Sequence, residues 1–267
     1  MIDEFEADDI IANTLRTRME NIFRSLQLVL TKKKINNEFT EFAGDADMER
    51  KVTFYEKLIK RLFDIVLSGV AIICFSWLYV IVAVLVRIKL GSPILFKHPR
   101  PGKDEKIFDV YKFRSMTNEK DKNGKLLPDE KRLTSFGAKL RSTSLDEIPE
   151  LFLIFIGKMS IVGPRPLEVY FLPYYSEEEH HRHDVTPGLT GWAQVNGRNS
   201  LSWEEKFKYD LEYVNNISFL FDCKIILMTV LKVLRRDDVV EAGGAEIVDF
   251  DVERQKKWER EGKLIHD

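Results

Sequence analysis

The run Ile65-Val66-Leu67-Ser68-Gly69-Val70-Ala71-Ile72-Ile73-Cys74-Phe75-Ser76-Trp77-Leu78-Tyr79-Val80-Ile81-Val82-Ala83-Val84-Leu85-Val86 contains no charged side chain. Its reading decides how the rest of the chain is arranged. As a helix rising 1.5 Å per residue it reaches roughly 30 Å, the depth of the hydrocarbon core of a bilayer, so the expected partner is the membrane. Basic residues stand on both sides of it: Lys57, Lys60 and Arg61 before, Arg87, Lys89 and Lys97 after. A crossing helix normally carries its basic excess on the cytoplasmic side alone. Two basic flanks favour a hairpin bent near Ser76, entering and leaving by one face, over a single crossing helix.

Outward from this run, residues 5–30 place Ile11, Leu15, Met19, Ile22, Phe23, Leu26 and Leu30 at helical spacing among charges. This predicts an amphipathic helix that lies on a partner, on the membrane surface or on the main domain. A polar, acidic linker with Gly44 follows. The start, Met1-Ile2-Asp3-Glu4, lacks the basic-then-apolar pattern of a signal peptide. Over 267 residues, 41 basic side chains nearly balance 43 acidic ones, which speaks against a general nucleic-acid binder. Cys74 and Cys223 lie in separate apolar runs, as buried thiols rather than a disulfide, in keeping with a reducing compartment.

Downstream, Ile94-Leu95-Phe96 and the stretch from Ile107 to Arg114 read as strands joined through Arg100-Pro101-Gly102-Lys103-Asp104. Lys112 and Arg114 would then share a face, about 7 Å apart, to grip neighbouring phosphates or simply to form a solvated basic edge. A polar loop spans 118–128. A helix from near Thr134 ends by Arg141, close to Ser144-Leu145-Asp146-Glu147-Ile148-Pro149-Glu150. At a helix mouth, backbone N–H groups would keep the paired carboxylates ionised. Asp146 could then act as a nucleophile on a diphosphate, with Glu147 holding Mg²⁺ and arginines offsetting charge. Ser144-x-x-Glu147 also fits a plain capping box. Two prolines restrict Arg165 in Gly163-Pro164-Arg165-Pro166. His180-His181-Arg182-His183 invites a metal-site reading, but no cysteine lies nearby and Glu177-Glu178-Glu179 suggests a solvated face. Gln194 and Arg198, in Gln194-Val195-Asn196-Gly197-Arg198-Asn199, are candidates to read a base or sugar. Ser202-Trp203-Glu204-Glu205 is a capping box, and 217–234 suits an interfacial or core helix.

These stretches together resemble the monotopic phosphoglycosyl transferases. The similarity covers about residues 57–236 and rests on Lys60-Arg61-x-x-Asp64, Lys112-Phe113-Arg114-Ser115-Met116, Ser144-Leu145-Asp146-Glu147-Ile148-Pro149, Met159-Ser160-Ile161-Val162-Gly163-Pro164-Arg165-Pro166, Pro187-Gly188-Leu189-Thr190-Gly191-Trp192 and Asn196-Gly197-Arg198-Asn199. The resemblance implies a ping-pong transfer of a sugar-1-phosphate from a UDP-sugar to polyprenyl phosphate. In it Asp146 carries the phosphosugar and UMP leaves. Glu147 corresponds to the Mg²⁺ ligand, while Lys112, Arg141 and Arg165 correspond to residues around the phosphates. It also implies a re-entrant membrane helix and a catalytic domain on the cytoplasmic face of the bacterial inner membrane. The chain departs from the family at Trp77, where a proline usually follows the serine, and at Glu150, Leu153 and Lys158, where Gln, Asn and Asp are usual.

The expected architecture is therefore α+β: a membrane-embedded hairpin at 51–92, then a small, mostly helical catalytic domain with a β-hairpin at 93–236. Residues 1–50 would form a helical extension and 237–267 a polar tail without chemistry, with amphipathic helices at the interface and a homodimer left open. The competing reading is an inactive scaffold of the same fold that recruits glycan-assembly enzymes; the intact Asp146-Glu147 pair argues against it.

Overall fold

The uncharged run forms a single helix, α1 (Lys60–Leu90), entered through a π-helical turn at Tyr55–Ile59 and ended by Gly91, whose φ of 80° is easy only for glycine. The structure, a computed structural model, describes residues 50, 52–197, 200–235 and 249–261. The helix expected at 5–30 lies outside these. Helix α1 remains helical through Ser76, where the bend of a hairpin is expected. Trp77 keeps the N–H that a proline would lack, and the Ser76 hydroxyl donates to the Ile73 carbonyl at 2.9 Å without opening the helix.

Burial along α1 recurs every four residues at Lys60, Asp64 and Ser68, and again at Val82 and Val86, while all of 73–77 is exposed. Both ends rest on the same protein body. At the start, Lys60 Nζ lies 2.7 Å from Asp222 Oδ2 and Asp64 Oδ1 accepts the Ile161 N–H at 2.9 Å. At the end, Arg114 donates to the Leu90 carbonyl. Among the described residues, the stretch Tyr55–Leu90 is the one helix long and apolar enough to cross a membrane.

Strands β1 (Leu95–Pro101) and β2 (Ile107–Phe113) pair antiparallel from Leu95↔Phe113 to Pro101↔Ile107, so the first strand runs further than the sequence suggests. Phe108 and Val110 pack on Leu153, Ile154 and Met159. After the short α2 (Asp129–Arg132) comes α3 (Ser135–Ser142), capped by Thr134, whose hydroxyl accepts the Gly137 N–H at 3.1 Å. A Cβ on Gly137 would lie 1.7 Å from the Ser115 carbonyl oxygen. Only glycine lets α3 lie against the chain leaving β2, and that approach carries Arg141 to Ser115.

Helix α4 (Glu150–Ile156) buries Leu153 and Ile154 and exposes Phe152, Phe155 and Ile156 beside α1. Two short strands, β3 (Ser160–Val162) and β4 (Gly188–Thr190), pair in parallel on either side of α5 (Glu177–His180). A Cβ on Gly188 would meet the Gly163 nitrogen at 2.1 Å, so this crossing, from which the Pro164-Arg165-Pro166 loop departs, needs glycine. Helices α6 (Trp192–Asn196), α7 (Trp203–Asn215) and α8 (Phe219–Arg235) close the main core around Val162, Trp192, Tyr213, Phe221 and Ile225. The Ser202 capping box forms as expected. Helix α8 buries Phe221, Ile225 and Leu231 but exposes Phe219, Val230 and Val233, a core and a surface face both apolar.

The tail corrects an expectation. Helix α9 (Phe250–Glu261) places Phe250 in a cluster with Phe171, Tyr175 and Phe207, and Arg254 reaches Glu179 at 2.6 Å. A polar composition hid one buried aromatic anchor. The mostly helical body with two small sheets agrees with the α+β expectation.

Lys60 is nearly buried, and Asp222 also accepts the Tyr55 hydroxyl at 2.6 Å and the Tyr213 hydroxyl at 2.8 Å. Removing the carboxylate strands an ammonium and two hydroxyls in a dry site, so Asp222→Ala should cost about 3 kcal/mol. The paired change Lys60→Met with Asp222→Leu should recover most of that loss, as read by thermal unfolding in detergent.

Candidate active site

Between α3 and α4 the chain turns sharply. Ser144 takes a left-handed φ of 54°, and Leu145–Glu147 form one 3-10 turn before Pro149 opens α4. Ser144 makes no side-chain cap, so the capping box does not form, while Asp146 and Glu147 stand in the first turn of the 3-10 helix, the helix mouth expected for them. Pro149 suits the entry to α4, where a missing N–H costs nothing.

This turn delivers three carboxylates to the inner face of β2. Lys112 Nζ lies 2.6 Å from Glu147 Oε1 and 3.2 Å from Glu150 Oε1, and Arg165 Nη2 approaches Glu147 Oε1 at 3.3 Å. Arg141 donates through Nε to Ser115 Oγ at 2.8 Å, and its charge acts on Asp146. One ammonium and two guanidinium groups thus meet three acids, the composition of a site built to take up further anionic charge.

The acids are not equivalent. Burial, then the charge of Glu147, push Asp146 up to about 6 against the pull of Lys112 and Arg141. Burial works on Glu147 in the same direction, but Arg165 and Lys112 overcome it and hold this carboxyl at about 2. Glu150 is raised by burial and by Glu147. Both members of the expected pair are mainly ionised at neutral pH, but desolvation works against Asp146 while cations hold Glu147. Adjacent carboxyls driven apart in acidity are a mark of division of labour.

Of the other expected site residues, Arg114 is diverted. It is buried, donates to the Ser92 carbonyl at 2.9 Å and to that of Leu90, and so ties down the end of α1 rather than sharing a phosphate face with Lys112. The physical reason is that β2 ends at Phe113, so the alternation predicted from the strand no longer applies. Gln194 donates to the Leu189 carbonyl at 3.1 Å, tying α6 back to β4. Arg198 lies outside the described residues.

Two residues that sequence reasoning passed over shape the site. Arg182, nearly fully buried, grips Asp210 through Nε at 3.1 Å and Nη2 at 2.7 Å, and the same Nη2 donates to the Arg165 carbonyl at 2.7 Å. It fixes the backbone from which Arg165 reaches Glu147. Glu168 binds Arg100 at 2.7 Å and His98 at 2.9 Å, joining β1 to the same loop. No local pattern announces either contact. The 180–183 stretch is also less solvated than expected. His183 is buried, and burial followed by Arg182 and His180 push it down to about 3, with the His180 carbonyl pulling the other way.

Next to the acid turn, Ile148, Leu151 and Phe152 meet Ile72, Phe75, Ser76 and Tyr79 of α1 in an apolar cleft of about 110 Å³. Charged and oily surfaces thus adjoin within a few residues of Asp146.

Residues 55–236 match the family described as bacterial sugar transferase. The chain is 50% identical to an uncharacterized sugar transferase, EpsL, of Bacillus subtilis, over 66% of this chain and 88% of that protein. It is 39% identical to a UDP-glucose:undecaprenyl-phosphate glucose-1-phosphate transferase of Klebsiella pneumoniae, over 66% of this chain and 40% of that one. It is 36% identical to an undecaprenyl-phosphate galactose phosphotransferase of Salmonella typhimurium, over 68% and 41% respectively. The chain therefore spans about two fifths of the length of these last two relatives.

Burial pushes the Asp146 carboxyl up to about 6, above the usual carboxylate range, so the folded state holds the proton more tightly than the unfolded chain. Stability from this group is full below about pH 4 and is lost as pH rises through about 6. Asp146→Asn carries no such charge. Its stability relative to the native protein should grow between pH 4 and 7, by up to about 3 kcal/mol, measured by denaturant unfolding across that range.

Proposed function

The chain belongs to the bacterial sugar transferase family, and from that premise we propose that it transfers a sugar-1-phosphate from a UDP-sugar to polyprenyl phosphate through a phosphosugar-aspartate intermediate on Asp146. The observation that carries this reading is the buried Asp146, beside a Glu147 held ionised by Lys112 and Arg165, two residues before the Ile148 wall of an apolar cleft against α1. A nucleotide diphosphate needs the cations, and a lipid phosphate needs the oily border.

With a pKa of about 6, Asp146 is about nine-tenths ionised at pH 7, and burial leaves its oxygens poorly hydrated. In the first half-reaction an Asp146 oxygen bonds to the β-phosphorus. The bond from that phosphorus to the bridging oxygen breaks, and UMP leaves with the electron pair. In the second, an oxygen of polyprenyl phosphate attacks the same phosphorus and Asp146 departs as carboxylate. Lys112, Arg141 and Arg165 align the phosphates and offset their charge, which is most of what phosphoryl transfer asks of a protein.

The donor set fits a hard divalent cation such as Mg²⁺. Glu147 is ionised at any working pH, and Glu150 presents a buried oxygen 3.2 Å from the Lys112 ammonium, outside good hydrogen-bond geometry. These two carboxylates would hold Mg²⁺, which supplies charge neutralisation for the diphosphate when bound. The exposed apolar surface of α1, with Phe152, Phe155 and Ile156, is what a bilayer would cover. Both ends of α1 rest on one body, both flanks are basic and 73–77 stand clear, which supports entry and exit by the same, cytoplasmic face. The names of the Klebsiella and Salmonella relatives support undecaprenyl phosphate as acceptor, and that of the Klebsiella relative supports a UDP-hexose as donor.

Full-length protein in lipid nanodiscs, given a panel of UDP-sugars and no acceptor, should release about one equivalent of UMP and gain one phosphosugar on Asp146, seen by mass spectrometry. Nucleotide release that starts only after polyprenyl phosphate is added, with no adduct trapped, overturns the two-step reading. Excess chelator should stop UMP release and Mg²⁺ should restore it. Lys112→Ala should slow the same burst on the order of 100-fold.

A further inference from the structure

At the far end of the β-hairpin from α1, Glu105 in the connection between β1 and β2 meets two imidazoles from α5 and the turn after it. His180 Nδ1 contacts Glu105 Oε1, and His183 Nδ1 lies 3.3 Å from the same oxygen. One ligand atom from each of the three residues lies within 4.8 Å of the others. Four-coordinate Zn²⁺, with bonds of about 2.0–2.1 Å to imidazole nitrogen and carboxylate oxygen, separates its ligands by about 3.3–3.4 Å. The His183–Glu105 separation already has that value.

A second observation points to a ligand. His183 is 5% exposed, and neither of its ring nitrogens has a hydrogen bond of acceptable geometry, although Glu105 sits against one of them. A buried imidazole normally satisfies at least one nitrogen. The ion pair between His180 and Glu105 accounts for those two side chains but leaves His183 unexplained. His180 and Glu105 are each over a third exposed, so they can adjust to an ion. The absence of a cysteine, which argued against a metal in the sequence, does not apply: the third donor is a carboxylate 75 residues upstream of His180.

We propose that Glu105, His180 and His183 bind a zinc ion, separate from the acid cluster at Asp146, that braces the β-hairpin against the segment preceding β4. The brace has a structural consequence. β2 delivers Lys112, and Arg182, between the two histidines, holds the Arg165 backbone. A metal here ties together the two elements that bring cations to Glu147. Imidazole with carboxylate suits zinc over Mg²⁺, which favours all-oxygen sites.

The test uses full-length protein purified without a histidine tag, stripped with chelator, incubated with Zn²⁺ in excess Mg²⁺, desalted and measured by elemental analysis. One zinc per chain should remain, the unfolding midpoint should rise, and Co²⁺ should give the visible absorption of a tetrahedral site. Glu105→Gln and His180→Gln, both at partly exposed positions, should each lose the retained zinc and the zinc-dependent rise while matching the stripped native protein in unfolding midpoint. Native protein that retains no zinc, or both variants retaining it undiminished, overturns the proposal. UMP release by either variant in Mg²⁺ is measured alongside, so a failure of the transferase reading leaves the zinc result readable by itself.

Discussion

Lys112 is shared by two carboxylates, and that sharing sets the electrostatics of the whole acid turn. Its ammonium sits 2.6 Å from Glu147 and 3.2 Å from Glu150. Without it, three acids within five residues would repel one another in a partly dry site and take up protons. With it, and with Arg165 on the far side, Glu147 stays ionised while Asp146 and Glu150 are left to the opposing effect of burial. The elements around the turn serve this arrangement. β2 supplies the lysine, the glycine crossing of Gly163 and Gly188 launches the Arg165 loop, and Arg182 with Asp210 fixes where that loop lies.

The long apolar helix is bound to this body by buried charges at its start and by a narrow apolar strip, Val82 and Val86 against Phe113 and Leu140, towards its end. Near its start are Lys60, Asp64 and Asp222, all nearly buried, and at its end Arg114 caps the last carbonyls. Most of its apolar side chains instead face outward. That division makes sense for a helix whose apolar surface belongs to another phase: the buried polar contacts specify where it attaches, and the exposed hydrocarbon specifies what it enters. Helix α4 continues the same logic over a shorter length, with Glu150 turned to the site and Phe155 against Gly69.

Much of this was legible because it rests on local pattern. The uncharged run, the alternating strands, the Ser202 capping box and the Asp146-Glu147 pair all announce themselves within a few residues. Lys112, Arg141 and Arg165 do gather at the acid turn, and the motifs that suggested the sugar transferase family agree with the family match over 55–236. Where local reading went astray, an element ended sooner or later than its pattern implied. β2 stops at Phe113 and releases Arg114 to the helix end, and Ser144 swings into the left-handed region where a cap was expected. The tail looked idle because one buried Phe250 among charged neighbours leaves almost no periodic signal.

The sequence by itself determined that an uncharged helix forms, that paired strands follow it and that two adjacent acids stand near basic residues, since each depends on neighbours along the chain. Only the tertiary structure decided which acid is raised and which lowered, that Arg182 clamps Arg165 through Asp210, and that Glu105 meets His180 and His183. Those outcomes depend on desolvation and on contacts between groups far apart in sequence, and no local pattern carries either quantity.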